Sequence, residues 1–365
     1  MDYFLSDTLA LQVIRTARRG EGISTVRTDD QRVLPIRKSE EPRHWADLGQ
    51  ATIKGVPCLN DFDETHRLKI LVPSADKRPA RRTIKATVCS RIFPAGTFSQ
   101  VIPSEGLTSG RILVPSPELI CAQLAALLQQ SFKQAPERRH LAVVRMVELL
   151  DELLGTYSRD PMSPRVEPVA FGLERICTKD EFSKALEQLG PIPGSPLLKQ
   201  ALALSVENSS SPMETLHHIM FSLPPRFGGI SLIEPEMNKP LEFTPHEQGI
   251  VSHVKLSPDL SFEACKTHIE HNGEEWHQVP KARKEDAYRI QDYQVCGRAV
   301  FPAVFNNVRS QSAFNEFAAK ICDSFDRNGK PGTLARFRRL KRDDEFRLRQ
   351  ATTLAHLLPP VTRYD

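Results

Sequence analysis

Two nearby stretches decide how the C-terminal third is read: Ser257-Pro258-Asp259, and Ile269-Glu270-His271-Asn272-Gly273-Glu274-Glu275-Trp276-His277. Asp259 and Glu270 are eleven residues apart. Two short strands joined by a turn around Glu263 to Lys266 would bring them together. Side chains alternate faces along a strand, so Glu270 and Asn272 share one face while Ile269 and His271 take the other. A pair of carboxylates on adjacent strands makes a hard-ligand site for Mg²⁺ (or Mn²⁺), and such an ion supports phosphodiester hydrolysis.

Working outward, Ser211-Pro212-Met213-Glu214 opens a helix running to Leu223. Ser211-x-x-Glu214 is a capping box, which stabilises a helix start without any chemistry. Glu214 is also the third carboxylate of a candidate cluster with Asp259 and Glu270. Downstream come a helix over about 281–295 carrying Arg289, a strand over 298–305, and a helix over 314–324. His217 and His218 read as surface residues of the 212–223 helix, or as one exposed and one partly buried. His268 and His271 near Cys265 fit no standard zinc spacing.

This pattern resembles the PD-(D/E)XK nucleases, and among them the very-short-patch-repair (Vsr-like) endonucleases and their bacterial relatives. The segment Glu270-His271-Asn272-Gly273 followed by Trp276-His277 carries the likeness, which covers about a third of the chain. The resemblance implies a restriction-endonuclease-like α/β core, with a central mixed sheet flanked by helices. It implies Asp259 as central metal ligand, Glu214 and Glu270 completing the acidic site, and His277 in proton transfer or phosphate contact. Arg289 would contact phosphate. Asn272 departs from the family pattern, since many of these enzymes carry Lys there and the nearer relatives Asp. A neutral amide can ligate a metal or orient a water but cannot act as a base.

The 365 residues suggest two domains, with 40% hydrophobic content for ordinary cores and 26% charged residues. The expected fold class is α+β, with boundaries at 1–45 (a helix from about Tyr3 to Arg18, then a polar arm), 46–170 (an α+β recognition or regulatory domain), 171–325 (the nuclease-type domain) and 326–365 (a basic helical tail). Residues 46–115 read as β-rich, including Leu68–Val72. Helices are expected from Ser116-Pro117, from Arg138 to Leu154, from Thr178 and from Ser195. The short Ser-Pro-Glu start at Ser116, after Ile112-Leu113-Val114-Pro115, resembles a segment of abortive-infection (AbiEi-type) antitoxin and regulator proteins. That likeness implies a toxin–antitoxin or defence-system partner.

Seven cysteines without a CxxC pair argue against a zinc ribbon or disulfide framework. Apolar runs are too short to span a bilayer, and a cytoplasmic protein without membrane contact is expected. Net charge is +4, while residues 326–365 hold ten Lys/Arg against five Asp/Glu. The excess favours a polyanion there. A helix over 336–349 is expected, with Asp343–Arg347 and Glu345–Arg349 paired one turn apart. Arg336, Arg338, Arg339, Lys341 and Arg342 are the candidate nucleic-acid contacts.

The leading functional expectation is a metal-dependent DNA endonuclease in repair or in defence against mobile DNA. The alternative is a catalytically impaired nuclease fold acting as a DNA-binding or antitoxin-type regulator, which Asn272 favours. An unrelated α+β interaction protein is the third class.

Overall fold

The computed structural model describes residues 2–35, 57–59, 62–80, 82–104, 111–166, 168–253, 255–271 and 280–358. Asn272, Gly273, Trp276 and His277 lie outside them. The chain is α+β, with eleven helices and mixed sheets among the described residues. None of the described helices is long and apolar enough to cross a membrane.

The chain divides into two units that interleave along the sequence. The first comprises residues 1–133, 158–173 and 180–200; the second comprises 134–157, 174–179 and 201–365.

In the first unit, β1 (Asp2–Phe4) leads into α1 (Asp7–Arg18). The helix expected from Tyr3 thus begins four residues later, because Tyr3 and Phe4 pair in parallel with β6 and Ser6 is extended. The rest of the unit holds β2 (Ile23–Arg27), β3 (Leu68–Val72), β4 (Ile84–Val88), β5 (Phe98–Pro103), β6 (Arg111–Pro115) and α2 (Pro117–Ser131). One sheet has the order β1-β6-β5-β2, and β3 and β4 form a parallel pair. The strand β2 falls in the stretch read as a polar arm. It is an edge strand with only Ile23 buried, so no apolar alternation marks it.

Then follow α3 (His140–Leu153), α4 (Lys179–Gln188), α5 (Ser195–Leu204) and α6 (Pro212–Ser222). In the second unit, β7 (Glu236–Met237), α7 (Pro245–Gln248), β8 (Leu260–Phe262) and β9 (Thr267–His271) precede α8 (Pro280–Val295) and β10 (Ala299–Ala303). The sheet order is β10-β9-β8-β7. Strand β8 runs antiparallel to both β7 and β9, and β10 joins β9 in parallel after the α8 crossover. The β8–β9 turn is a single 3₁₀ turn at Glu263–Cys265, closed by Lys266 at φ 43°.

Helices cover both faces of this sheet. Thr267 bonds Ser324 of α9 (Gln311–Arg327) at 2.8 Å, and Phe262 meets Phe325 edge-on. His268 lies 5.5 Å from the ring of Tyr293 on α8, on the opposite face. Tyr293 joins Phe243, Leu256 and Cys296 in a buried cluster. Fully burying one such side chain is worth about 1.5–3 kcal/mol.

The tail forms two helices, α10 (Thr333–Leu340) and α11 (Asp344–Leu357), where one was expected over 336–349. The break has a local cause. Asp343 caps α11, its carboxylate accepting the Phe346 N–H at 3.0 Å. Arg347 pairs with Asp344 instead, and Arg349 pairs with Glu345 as expected.

Candidate active site

Pro212 at the first helical position and Ser211 as cap start α6. The Glu214 N–H donates to Ser211 Oγ at 3.1 Å, which is half of a capping box. The carboxylate does not complete it. It accepts from the Ser210 N–H at 2.9 Å, Ser210 Oγ at 2.5 Å and Asn238 Nδ2 at 2.6 Å. Glu214 is buried, and burial raises its pKa against these hydrogen bonds.

Asp259 stands immediately before β8. Its Oδ2 accepts the backbone N–H of His271 at 2.5 Å, and its carbonyl accepts the N–H of Asn238 at 3.2 Å. Burial, then the neighbouring charge of Glu214, push its pKa up to about 8. Glu270 adds to the rise, while the His271 N–H and Arg289 oppose it. The three expected carboxylates are therefore close enough for Asp259 to respond to both others.

Glu270 is nevertheless turned away from Glu214. Strand alternation sends His268 and Glu270 toward α8 and Thr267 and His271 toward α6 and α9. Glu270 Oε1 accepts from Arg289 Nη2 at 2.8 Å and Tyr293 OH at 2.5 Å, both on α8. Arg289, expected to contact phosphate, is the counterion of Glu270. Burial, followed by the charge of Glu270, raises the Tyr293 phenol pKa.

His271 packs on the other face, its ring centre 5.8 Å from that of His217 on α6. His217 is fully buried, and burial followed by the charge of His271 lowers its pKa to about 3. The surface reading of His217 and His218 is corrected, since both are buried. His218 Nδ1 bonds Asp151 Oδ2 of α3 at 2.6 Å, and Asp151 Oδ1 accepts the Val206 N–H at 2.9 Å. A hydrophobic α6 with His inside gives no sequence sign of this, because Asp151 is 67 residues away.

Asn238 is a further site residue that sequence reasoning missed. It joins Glu214 to the Asp259 backbone and takes φ 51°. Nothing in Glu236-Met237-Asn238-Lys239-Pro240 signals more than a turn.

In the basic tail, Arg338, Arg339 and Arg342 are exposed. Arg336 donates to the Ser231 carbonyl at 2.8 Å, and Lys341 lies over the Phe337 ring at 5.2 Å.

Among the described residues, no three His, Cys, Asp or Glu side chains are arranged as a ready metal-holding group. The donor set fits a cation in charge. Burial, and after it the charge of Glu214, raise the pKa of Asp259, and a cation beside the pair would oppose that rise. Glu214 and Asp259 are the side chains that would hold one. No protein-family model, curated protein or solved structure matches the chain.

Proposed function

We propose that the second unit is a metal-dependent DNA endonuclease-like module of the PD-(D/E)XK type, hydrolysing phosphodiester bonds. The observation that carries the reading is the pairing of buried Glu214 with half-buried Asp259, set where a helix meets the start of β8. The order around it also supports it: α6, three antiparallel strands, the α8 crossover, then parallel β10. The sequence resemblance implies a helix–strand–strand–helix–strand–helix succession, to which the structure adds the two-residue β7 and the four-residue α7.

A divalent cation bound at Glu214 and Asp259, Mg²⁺ or Mn²⁺, supplies Lewis-acid stabilisation of a phosphate. The chain's own part is positional. Ser210 and Asn238 fix the Glu214 carboxylate, and the His271 N–H fixes that of Asp259. The exposed arginines of α10 add phosphate attraction, and the first unit supplies target or partner recognition.

A second reading, DNA binding without cleavage, is favoured by one observation: Glu270 is already paired with Arg289 and hydrogen-bonded by Tyr293. The two separate on supercoiled plasmid with Mg²⁺ or Mn²⁺, beside Asp259→Ala. Metal-dependent nicking that the substitution abolishes supports the nuclease. Retarded but intact plasmid with both proteins supports the binding module. Neither nicking nor retardation rejects both.

A further inference from the structure

Two imidazoles, one buried and one half-buried, meet with nitrogens left over. Neither ring nitrogen of His217 has a hydrogen-bond partner, and His271 Nδ1 has none either. Buried polar atoms are almost always paired, so three such nitrogens call for an account. The remaining ring neighbours of His217 are Phe221 at 6.1 Å and Phe317 at 6.3 Å, which offer it no lone pair or conventional donor.

The state of His271 narrows the choice. Its ring hydrogen-bonds the Ala303 backbone across the β9–β10 pair. Since Nδ1 is unpartnered, that bond uses Nε2 as donor to a carbonyl and leaves a bare lone pair on Nδ1. A carbonyl holding the far N–H of a ring is how metal-ligating histidines are oriented. Spacing agrees. An ion 2.0–2.1 Å from one nitrogen of each ring, in tetrahedral geometry, sets ring centres about 5 to 6 Å apart, and here they are 5.8 Å apart. Two carboxyl groups lie alongside: Glu214 is one turn earlier on α6, and Asp259 accepts the His271 N–H.

We propose that His217 and His271 together bind a divalent transition ion of the imidazole-preferring class, Zn²⁺, Co²⁺ or Ni²⁺, beside the Glu214–Asp259 pair. Nitrogen ligands select these ions over Mg²⁺, which takes oxygen. The inference rests on the acidic site just described and places a second kind of cation beside it.

Full-length protein stripped with a chelator is titrated with Co²⁺, followed by visible absorption and thermal melting. One Co²⁺ per chain is expected, with ligand-field bands and a raised Tm, displaced by Zn²⁺ but not by excess Mg²⁺. Losing an outer partner of a metal site costs about 10–100-fold in affinity, so His217→Phe, which keeps an aromatic ring beside Phe317, and His271→Asn each lose at least that. Should either variant fail to fold, ¹⁵N spectra of the wild-type histidines carry the test, with Zn²⁺ shifting nitrogens of two rings. No Co²⁺ binding, unchanged affinity in folded variants, displacement by Mg²⁺, or unshifted imidazole nitrogens overturns the proposal. None of these readouts uses DNA. A protein that nicks plasmid with Mg²⁺ but ignores Co²⁺ sinks this inference alone, and one that binds Co²⁺ but never nicks sinks only the nuclease.

Discussion

Burial, and after it the charge of Glu214, hold the Asp259 carboxyl far above its ordinary range, and that has a measurable cost. Its folded-state pKa is about 8, against an ordinary value of 3.8. Between those values the native protein holds a proton that the unfolded chain has released. The stability this group contributes is therefore fully present below about pH 4 and is lost as pH rises through 8. Every tenfold difference in proton affinity between the folded and unfolded chain corresponds to about 1.4 kcal/mol. Asp259→Asn is expected to flatten the fall in Tm between pH 4 and pH 8 and to melt higher than wild type at pH 8. Identical pH profiles for the two proteins would show that the carboxylate is not under this pressure. Excess Mn²⁺ at pH 8 is expected to raise the wild-type Tm and leave the Asn variant unmoved. The sequence made Asp259, Glu214 and Glu270 legible as candidates because each is a charged group in a structured context. It could not show that Glu270 serves α8, since one residue of offset on a strand reverses its face and periodicity does not say which face meets which helix.

At the scale of elements, helix starts were legible and helix interiors were not. Ser-Pro at 116–117, 195–196 and 211–212 each open a helix, because the capping chemistry is local. Partners that lie far along the chain are invisible to such reasoning, and the Asp151–His218 bond between α3 and α6 is the clearest case. Asp151→Ala strands a buried imidazole and the Val206 N–H. It is expected to cost about 3–5 kcal/mol, as losing one member of a buried pair does, measured by urea unfolding. A loss below about 1 kcal/mol would mean that the site relaxes without it.

The tail helices make a second test at this scale. Replacing exposed Arg338, Arg339 and Arg342 with Ala together is expected to lower the slope of log affinity against log salt for duplex DNA by roughly 2–3, at about 0.9 per phosphate contact. Arg336→Ala is expected to leave that slope alone and to cost stability of about 1–3 kcal/mol, because its guanidinium satisfies the Ser231 carbonyl. Equal slopes for the triple variant and wild type would remove α10 from any DNA surface.

For the whole molecule, the succession of strand-like and helical stretches gave the α+β class. Short-range signals do not reveal that the second unit recruits residues 134–157 as well as the chain after 201. A fragment of residues 201–365 lacks α3 and leaves His218 without Asp151, and it is expected to melt without a cooperative transition by circular dichroism. A fragment of 134–365 retains α3 and is expected to melt cooperatively. A sharp transition in the shorter piece would show that α3 is dispensable to the unit.

The same interleaving sets an order in time. Twelve of the fourteen residues of α3 are buried in the finished protein, Asp151 among them. During synthesis α3 emerges first, and His218 follows 67 residues later. At about 5–20 residues per second, that is a wait of roughly 3 to 13 seconds. Through that interval an apolar helix with a carboxylate in its buried face has no second unit to enter. The nascent chain is then at its most exposed to aggregation and to chaperone capture, well before any candidate site exists.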